Sequence, residues 1–165
     1  ALVQTPDRDI HTVRFPDQEP PSAVDVLVVG AGPVGLSAAV ELEGRGVDVA
    51  VVDRATHATL VRAGAMGHTA RVVEHFRRWG VLQRIRDGWT VPPEWNRGIR
   101  LVTSLAGHEL VPTPSPTFTG GAVPPQHSAA EAIRRPQTVL QQAFLDQLRE
   151  RGVTVAGGWE VRGLV

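Results

Sequence analysis

The chain of 165 residues contains no cysteine, carries no net charge and has no long apolar run. Without cysteine it cannot form disulfides, thiolate metal sites or a cysteine nucleophile, which suits a reducing cytoplasm. Its 17 basic residues balance 17 acidic ones, so the charge gives no support for binding nucleic acid or a membrane surface. No segment approaches the roughly 20 apolar residues of a membrane-spanning helix. The six histidines show no metal-ligand spacing, and we assign neither a metal site nor a catalytic side chain.

Hydrophobic patterning near the amino terminus predicts an α/β fold built on a parallel strand–helix–strand unit. Residues 23–30 form a Val-rich apolar run ended by glycine, which predicts a strand buried on both faces. Residues 34–44 place Ala, Leu and Val at helical spacing and end in glycine. Residues 47–53 predict a second buried strand. Three such elements in about thirty residues match the length of a βαβ unit.

The rest of the chain is predicted to contain further helices, short strands and a long loop. Amphipathic patterns predict helices over 69–80, 81–88 and 137–152. Alternating patterns predict a strand pair, 99–105 with 108–111, and two short strands, 153–155 and 159–165. The Pro- and Ser-rich stretch 112–135 is predicted to be a loop.

Composition divides the chain into three parts. Residues 1–22 are polar and rich in proline, which predicts an extended or disordered leader or a processed terminus. Residues 23–90 and 134–165 are predicted to form the α/β domain, and residues 91–133 an insertion within it. The strand-like segment at the end has no later partner in the sequence, so we expect the chain to be a fragment or one chain of a larger protein.

A glycine-rich turn connects the first predicted strand to the first predicted helix. It matches the GxGxxG pattern with the residues Gly30, Ala31, Gly32, Pro33, Val34 and Gly35. The first glycine allows the tight turn, the second lets a pyrophosphate approach the backbone, and the third lets the helix pack close to the strand. The helix N-terminus offers free N–H groups and a partial positive charge to phosphates. These six residues therefore predict a Rossmann-like dinucleotide site.

Asp53 is the last residue of the second predicted strand, where such sites recognise a ribose. Its carboxylate can accept hydrogen bonds from ribose hydroxyls. A phosphate on that ribose would be repelled, which disfavours NADP at this position. The turn and Asp53 do not by themselves distinguish FAD from NAD.

Four segments, in order, resemble the FAD-dependent aromatic hydroxylases, the p-hydroxybenzoate hydroxylase-like monooxygenases. They are GAGPVGLSAAVELEGRGVDVAVVDR, VRAGAMGHTARVVEHFRRWGV, IRLVTSLAGHEL and RRPQTVLQQAFLDQLRERGVTV. The third resembles a strand pair of the phenol and polyketide hydroxylase branch. The resemblance covers residues 24–165 and implies that the bound cofactor is FAD.

The resemblance also implies roles for three polar residues. Arg62 matches the family arginine that contacts the phosphate or ribityl region of the flavin, and Gln137 matches the family glutamine near the ribityl chain. Arg54 follows the ribose-binding acid, where the family often has Arg or Lys beside the adenine. An ordinary surface position is the alternative for each of them.

The family's activity implies an NADPH- or NADH-consuming monooxygenase that uses O₂ to hydroxylate a small aromatic substrate, phenolic or polyketide. Two later family segments, one with Asp-Gly and one with Gly-Asp, do not occur in this sequence, so the rest of a longer protein or a second chain would have to supply them. Two alternatives remain open. One is another FAD-dependent oxidoreductase of the same superfamily, and the other is a non-catalytic FAD- or ADP-binding module.

Overall fold

The computed structural model describes residues 12–59, 66–89, 101–111 and 127–163. Within these ranges the chain forms nine strands and four helices. In chain order they are β1 (Thr12–Arg14), β2 (Val26–Val29), α1 (Pro33–Glu43), β3 (Val49–Asp53), β4 (His57–Thr59), β5 (Gly67–His68), α2 (Ala70–Arg78), α3 (Leu82–Asp87), β6 (Leu101–Val102), β7 (Glu109–Val111), β8 (Ile133–Arg134), α4 (Gln137–Glu150) and β9 (Val155–Gly157).

Three parallel strands form the central sheet in the order β2, β3, β9. β2 pairs with β3 from Val26 opposite Val49 to Val29 opposite Val52, and β9 pairs along the other side of β3. α1 connects β2 to β3, as the predicted βαβ unit requires. The expected α/β fold with a parallel sheet is confirmed, and the carboxyl ends of β2 and β3 lie at one edge of the sheet.

Helices α1 and α4 pack against each other and against the strands β3 and β9. α1 contributes Leu36 and Val40 to the core, and α4 contributes Phe144 and Leu148, all four of them fully buried. Because each helix precedes the parallel strand it packs on, both helix N-termini lie at the edge where β2 and β3 end. This arrangement brings the start of α4 to the glycine-rich turn.

Glu41 on α1 joins this helix to α2. Its carboxylate accepts hydrogen bonds from the guanidinium of Arg78, at 2.6 and 3.1 Å, and from the indole N–H of Trp79. Arg45, in the turn that follows α1, donates a further bond at 2.7 Å. The bonds from Arg78, Trp79 and Arg45 lower the pKa of Glu41 from 4.5 to about 2, because they stabilise the ionised carboxylate.

The segment before the central sheet is anchored to the domain. β1 pairs antiparallel with β4, and Val13 and Phe15 are buried in the core. Pro16 accepts a hydrogen bond from the Gly157 N–H at 2.9 Å. The described part of the predicted leader is thus extended, and its apolar residues contribute to the core, which the sequence analysis did not predict.

Two strand predictions are wrong. β2 was expected to be buried on both faces, but Leu27 is 46% exposed and Val29 is 64% exposed, because β2 is an edge strand of the described sheet and its second face is largely uncovered. The strand predicted over 159–165 is not formed in its described part, 159–163. Gly158 turns the chain with a φ of +82°, and the Trp159 N–H then bonds the carbonyl of Asp53.

Two small strand pairs complete the described structure. β6 and β7 pair antiparallel, which confirms the predicted pair within shorter bounds. β5 pairs antiparallel with β8, so Ile133–Arg134 is a strand where the sequence predicted a loop. A two-residue strand lacks the pattern from which it could be predicted. None of the helices in the described ranges combines the length and apolar character needed to cross a membrane.

Candidate nucleotide-binding site

The glycine-rich turn lies at the carboxyl edge of the parallel sheet, between β2 and α1. Gly30 has a φ of +110°, a conformation that strongly favours glycine. Its N–H donates to the carbonyl of Val52 at 2.7 Å, which continues the pairing of β2 with β3 into the turn. Gly30 therefore lies in a tight turn directly after β2, as the sequence predicts.

The two later glycines of the turn have different surroundings. A Cβ added at Gly35 would lie 1.9 Å from the carbonyl oxygen of Gly30, whereas one added at Gly32 would meet no atom within 4 Å. Gly35 is needed so that α1 can pack against the end of β2. Gly32 borders open space, as expected where a phosphate group would approach the backbone.

The N-terminus of α1 carries a partial positive charge that no side chain of its first turn neutralises. Gly32 is the N-cap residue, Pro33 follows it, no side chain caps the first turn, and that turn contains no acidic residue. The first N–H groups of a helix have no partner within the helix, and the helix dipole adds a partial positive charge. The turn thus presents donors and a favourable field to an anion beside Gly32.

Asp53 ends β3 beside the turn. Its Oδ2 accepts a hydrogen bond from the Ala31 N–H at 2.7 Å, and its Oδ1 accepts one from the Ala55 N–H at 2.8 Å. A carboxylate has about four acceptor positions, so these two bonds leave capacity for ribose hydroxyls. Asp53 is half-buried and also fixes the shape of the turn, a role that the sequence pattern did not indicate.

Helix α4 adds a second side chain that holds the turn. Gln141 is buried, and its Nε2 donates to the carbonyl oxygen of Ala31 at 3.1 Å. Gln137 begins α4 one turn earlier and is half-buried, so it lies on the same side of the helix at the carboxyl edge of the sheet. Gln141 was not predicted as a site residue, although a glutamine on the apolar face of a helix is a signal that the sequence contains.

Arg54 and Arg62 were also predicted to contact the cofactor. Arg54 follows Asp53 and is exposed. Arg62 lies outside the described residues.

His68 is buried, and its Nε2 lies 3.1 Å from the carbonyl oxygen of Arg135. Burial lowers the pKa of His68, which favours the neutral ring. No group of side chains in the described ranges could hold a metal ion.

Together, these groups fit the ADP portion of a dinucleotide. They combine a glycine turn with room beside the backbone, an uncapped helix N-terminus and a carboxylate at the end of the adjacent strand. A family model described as FAD binding domain matches residues 23–165. The chain belongs to this FAD-binding family.

Individual relatives of this FAD-binding chain are flavin-dependent monooxygenases. It is 35% identical over 96 residues to the FAD-dependent monooxygenase ankC of Aspergillus thermomutatus, an alignment that covers 58% of this chain and 16% of that protein. The crystal structure of the flavin-dependent monooxygenase PieE in complex with FAD and substrate is 26% identical, with a TM-score of 0.66 over 84% of this chain and 24% of that one. The ternary complex of aklavinone-11 hydroxylase with FAD and aklavinone is 29% identical, with a TM-score of 0.66 over 85% of this chain and 26% of the other.

These relatives confirm the resemblance to FAD-dependent aromatic hydroxylases and the expectation of FAD as the cofactor. The chain spans about a sixth of the curated relative and about a quarter of the solved structures. The roles of the individual site residues, the division into domains and the activity of the whole protein stay predictions.

Proposed function

We propose that this chain forms the ADP-binding part of an FAD-dependent monooxygenase that hydroxylates an aromatic substrate, phenolic or polyketide, with NADPH or NADH as the reductant. The observation that carries the proposal is the joint geometry of the glycine turn and Asp53. The turn leaves open space at Gly32, and the Asp53 carboxylate lies within hydrogen-bond distance of the same turn. Similarity to the monooxygenases named above supports the class of reaction.

In this proposal the chain's own residues bind and orient the cofactor. The backbone of Gly30, Ala31, Gly32, Pro33, Val34 and Gly35 lies against the pyrophosphate, and Asp53 accepts hydrogen bonds from the adenosine ribose. Gln137 lies towards the ribityl chain, Arg62 contacts the phosphate or ribityl region, and Arg54 lies beside the adenine. When bound, FAD supplies the redox chemistry with NAD(P)H and O₂, and no side chain described in this chain is required as a nucleophile.

Regions beyond the ADP site, in the same or a second polypeptide, would enclose the aromatic substrate and exclude water. The six-residue turn and Asp53 serve only the cofactor, so the substrate is recognised elsewhere. A cytoplasmic location also stays a prediction.

The experiment that tests this function is a cofactor titration followed by a turnover assay. The purified protein should show a flavin absorption spectrum or acquire one on addition of FAD, and it should oxidise NADPH or NADH in the presence of a phenolic or polyketide substrate. FAD binding without substrate-dependent NAD(P)H oxidation would favour a non-catalytic module. Failure to bind FAD would reject the proposal.

The role of Asp53 in nucleotide binding can be tested with Asp53→Asn. Asparagine replaces one of the two acceptor oxygens by an NH₂ donor and carries no charge, so the affinity for ADP should fall by about tenfold. Discrimination against ADP bearing an additional 2′-phosphate should also weaken, because the repelling charge is gone. The matched control is Asp25→Asn: Asp25 accepts the Asp48 N–H at 3.2 Å at the opposite edge of the same sheet. If Asp25→Asn changes nucleotide binding as much as Asp53→Asn, the contact is misassigned.

A further inference from the structure

Two side chains from different elements hold Ala31 in the middle of the glycine turn. Its N–H donates to Asp53 at the end of β3, at 2.7 Å, and its carbonyl accepts from Gln141 on α4, at 3.1 Å. Ala31 itself is fully buried. Asp53 thus fixes the peptide bond before Ala31, and Gln141 fixes the one after it.

The bond from Gln141 has a consequence for the next residue. A trans peptide unit is planar, and its C=O and N–H point in opposite directions. Since the Ala31 carbonyl points to α4, the Gly32 N–H in the same peptide unit points away from α4. The space beside Gly32 is open, and Gly32 is also the N-cap residue of α1.

We propose that Gln141 is a positioning residue that orients the Gly32 N–H towards the pyrophosphate of the cofactor before the cofactor binds. This inference rests on the proposed function, because it assumes that the turn binds a dinucleotide. Gln141 does not contact the phosphate in this proposal. It acts through one backbone carbonyl, and its effect is confined to ligands that carry phosphate.

The chain contains a matched control for this role. Gln147, two turns further along α4, is also buried, and its Nε2 donates to a backbone carbonyl, that of Trp79, at 3.2 Å. Replacing either glutamine by methionine removes one hydrogen bond between a buried side chain and the backbone, and leaves a carbonyl without that donor. The two variants should therefore lose similar amounts of stability. Of these two glutamines, Gln141 bonds the turn and Gln147 bonds the end of α2.

The experiment compares the binding of adenosine, ADP and FAD to the unaltered protein, Gln141→Met and Gln147→Met. Calorimetry gives the affinities for adenosine and ADP, and quenching of flavin fluorescence gives the affinity for FAD. Gln141→Met should bind ADP and FAD about tenfold more weakly and bind adenosine within about twofold of the unaltered protein. Gln147→Met should bind all three ligands as the unaltered protein does. Gln141→Asn, whose amide is one methylene too short to reach the Ala31 carbonyl, should behave as Gln141→Met.

Each other outcome is decisive. Equal weakening of adenosine and ADP in Gln141→Met would overturn the proposal, because a general structural role affects both ligands alike. Unfolding of both Gln141 variants while Gln147→Met folds would also overturn it in favour of a role in stability. If the unaltered protein binds neither ADP nor FAD, the proposed function fails together with this inference. If it binds both and the Gln141 variants do too, the inference alone fails.

Discussion

Gly32 and Gly35 belong to one turn, yet a methyl group added at each meets different surroundings. At Gly35 the new atom would lie 1.9 Å from the Gly30 carbonyl oxygen, and at Gly32 it would meet open space. One glycine is required by the protein itself and the other by the ligand that we propose. Alanine substitutions at the two positions separate these requirements.

Gly35→Ala should destabilise the fold. The added methyl group cannot be accommodated unless α1 moves away from the end of β2, and overpacking against backbone is expected to lower the free energy of unfolding by about 3 kcal/mol. Chemical denaturation monitored by circular dichroism measures this loss. A variant as stable as the unaltered protein would show that α1 is free to shift.

Gly32→Ala should fold normally but bind FAD poorly. Gly32 has a φ of −71°, which alanine adopts without strain, so the free energy of unfolding should change by less than about 1 kcal/mol. Its methyl group would occupy the space proposed for the pyrophosphate, and FAD affinity should fall by about tenfold or more. Fluorescence titration with FAD, alongside the same denaturation measurement, tests both parts. Unchanged affinity would place the pyrophosphate elsewhere.

Among individual residues, the sequence predicts the site residues that belong to a local pattern. Gly30, Gly32, Gly35 and Asp53 were identified because their spacing follows a strand, a turn and a second strand. Gln141 was missed because its partner, Ala31, is 110 positions away in the chain. Within α4 alone, a polar residue on the apolar face does not reveal which backbone group it meets.

Among the elements, α1 and α2 are joined by a single carboxylate. Glu41 accepts hydrogen bonds from Arg78 at the end of α2, from Trp79 directly after α2, and from Arg45 directly after α1. These bonds are stronger to the ionised form, and they lower the pKa of Glu41 to about 2. The contact between the two helices should therefore depend on pH.

The sign of this dependence follows from the lowered pKa. Stability contributed by ionised Glu41 is fully present above the ordinary value of 4.5 and is lost as the pH falls towards about 2. Urea denaturation between pH 6 and pH 3 should show a smaller loss of stability for Glu41→Gln than for the unaltered protein. Glu160→Gln, which removes an exposed partner of Arg162, is the control and should follow the unaltered protein. Parallel curves for all three proteins would contradict the assignment.

Helices were easier to predict from sequence than the burial of strands. The predicted helix over 137–152 is observed as Gln137–Glu150, because a long amphipathic pattern carries its own evidence. The Val-rich run at β2 predicted burial on both faces, but Leu27 and Val29 are exposed. An apolar composition shows that both faces of a strand could be buried. Whether they are buried depends on the elements that pack on each face.

For the molecule as a whole, local sequence determines the βαβ unit but not the pairing of distant segments. β1 with β4 and β5 with β8 join residues far apart in the chain, and each of these strands is only two or three residues long. Such short strands are stabilised by tertiary contacts rather than by a pattern of their own. The position of Phe15 in the core follows from the pairing of β1 and could not be predicted from residues 1–22.

The unfolding temperature of the whole protein should rise with the concentration of FAD. A ligand that binds only the folded state at 100 times its dissociation constant adds about 2.7 kcal/mol to the free energy of unfolding. Each kcal/mol corresponds to about 2–4 °C in a domain of this size. Differential scanning calorimetry at increasing FAD should show the shift, and riboflavin, which lacks the ADP portion, should give little of it. An equal shift with riboflavin would contradict binding through the ADP site.

The first turn of α1 has no capping side chain, so in this chain the cofactor phosphate would take the place that a serine or aspartate occupies in most helices. Folding and flavin supply are then coupled. A cell that makes the polypeptide faster than it makes FAD would accumulate the less stable apoprotein and lose it to proteases. The steady-state amount of this protein should consequently follow the flavin content of the cell, even when its synthesis is constant.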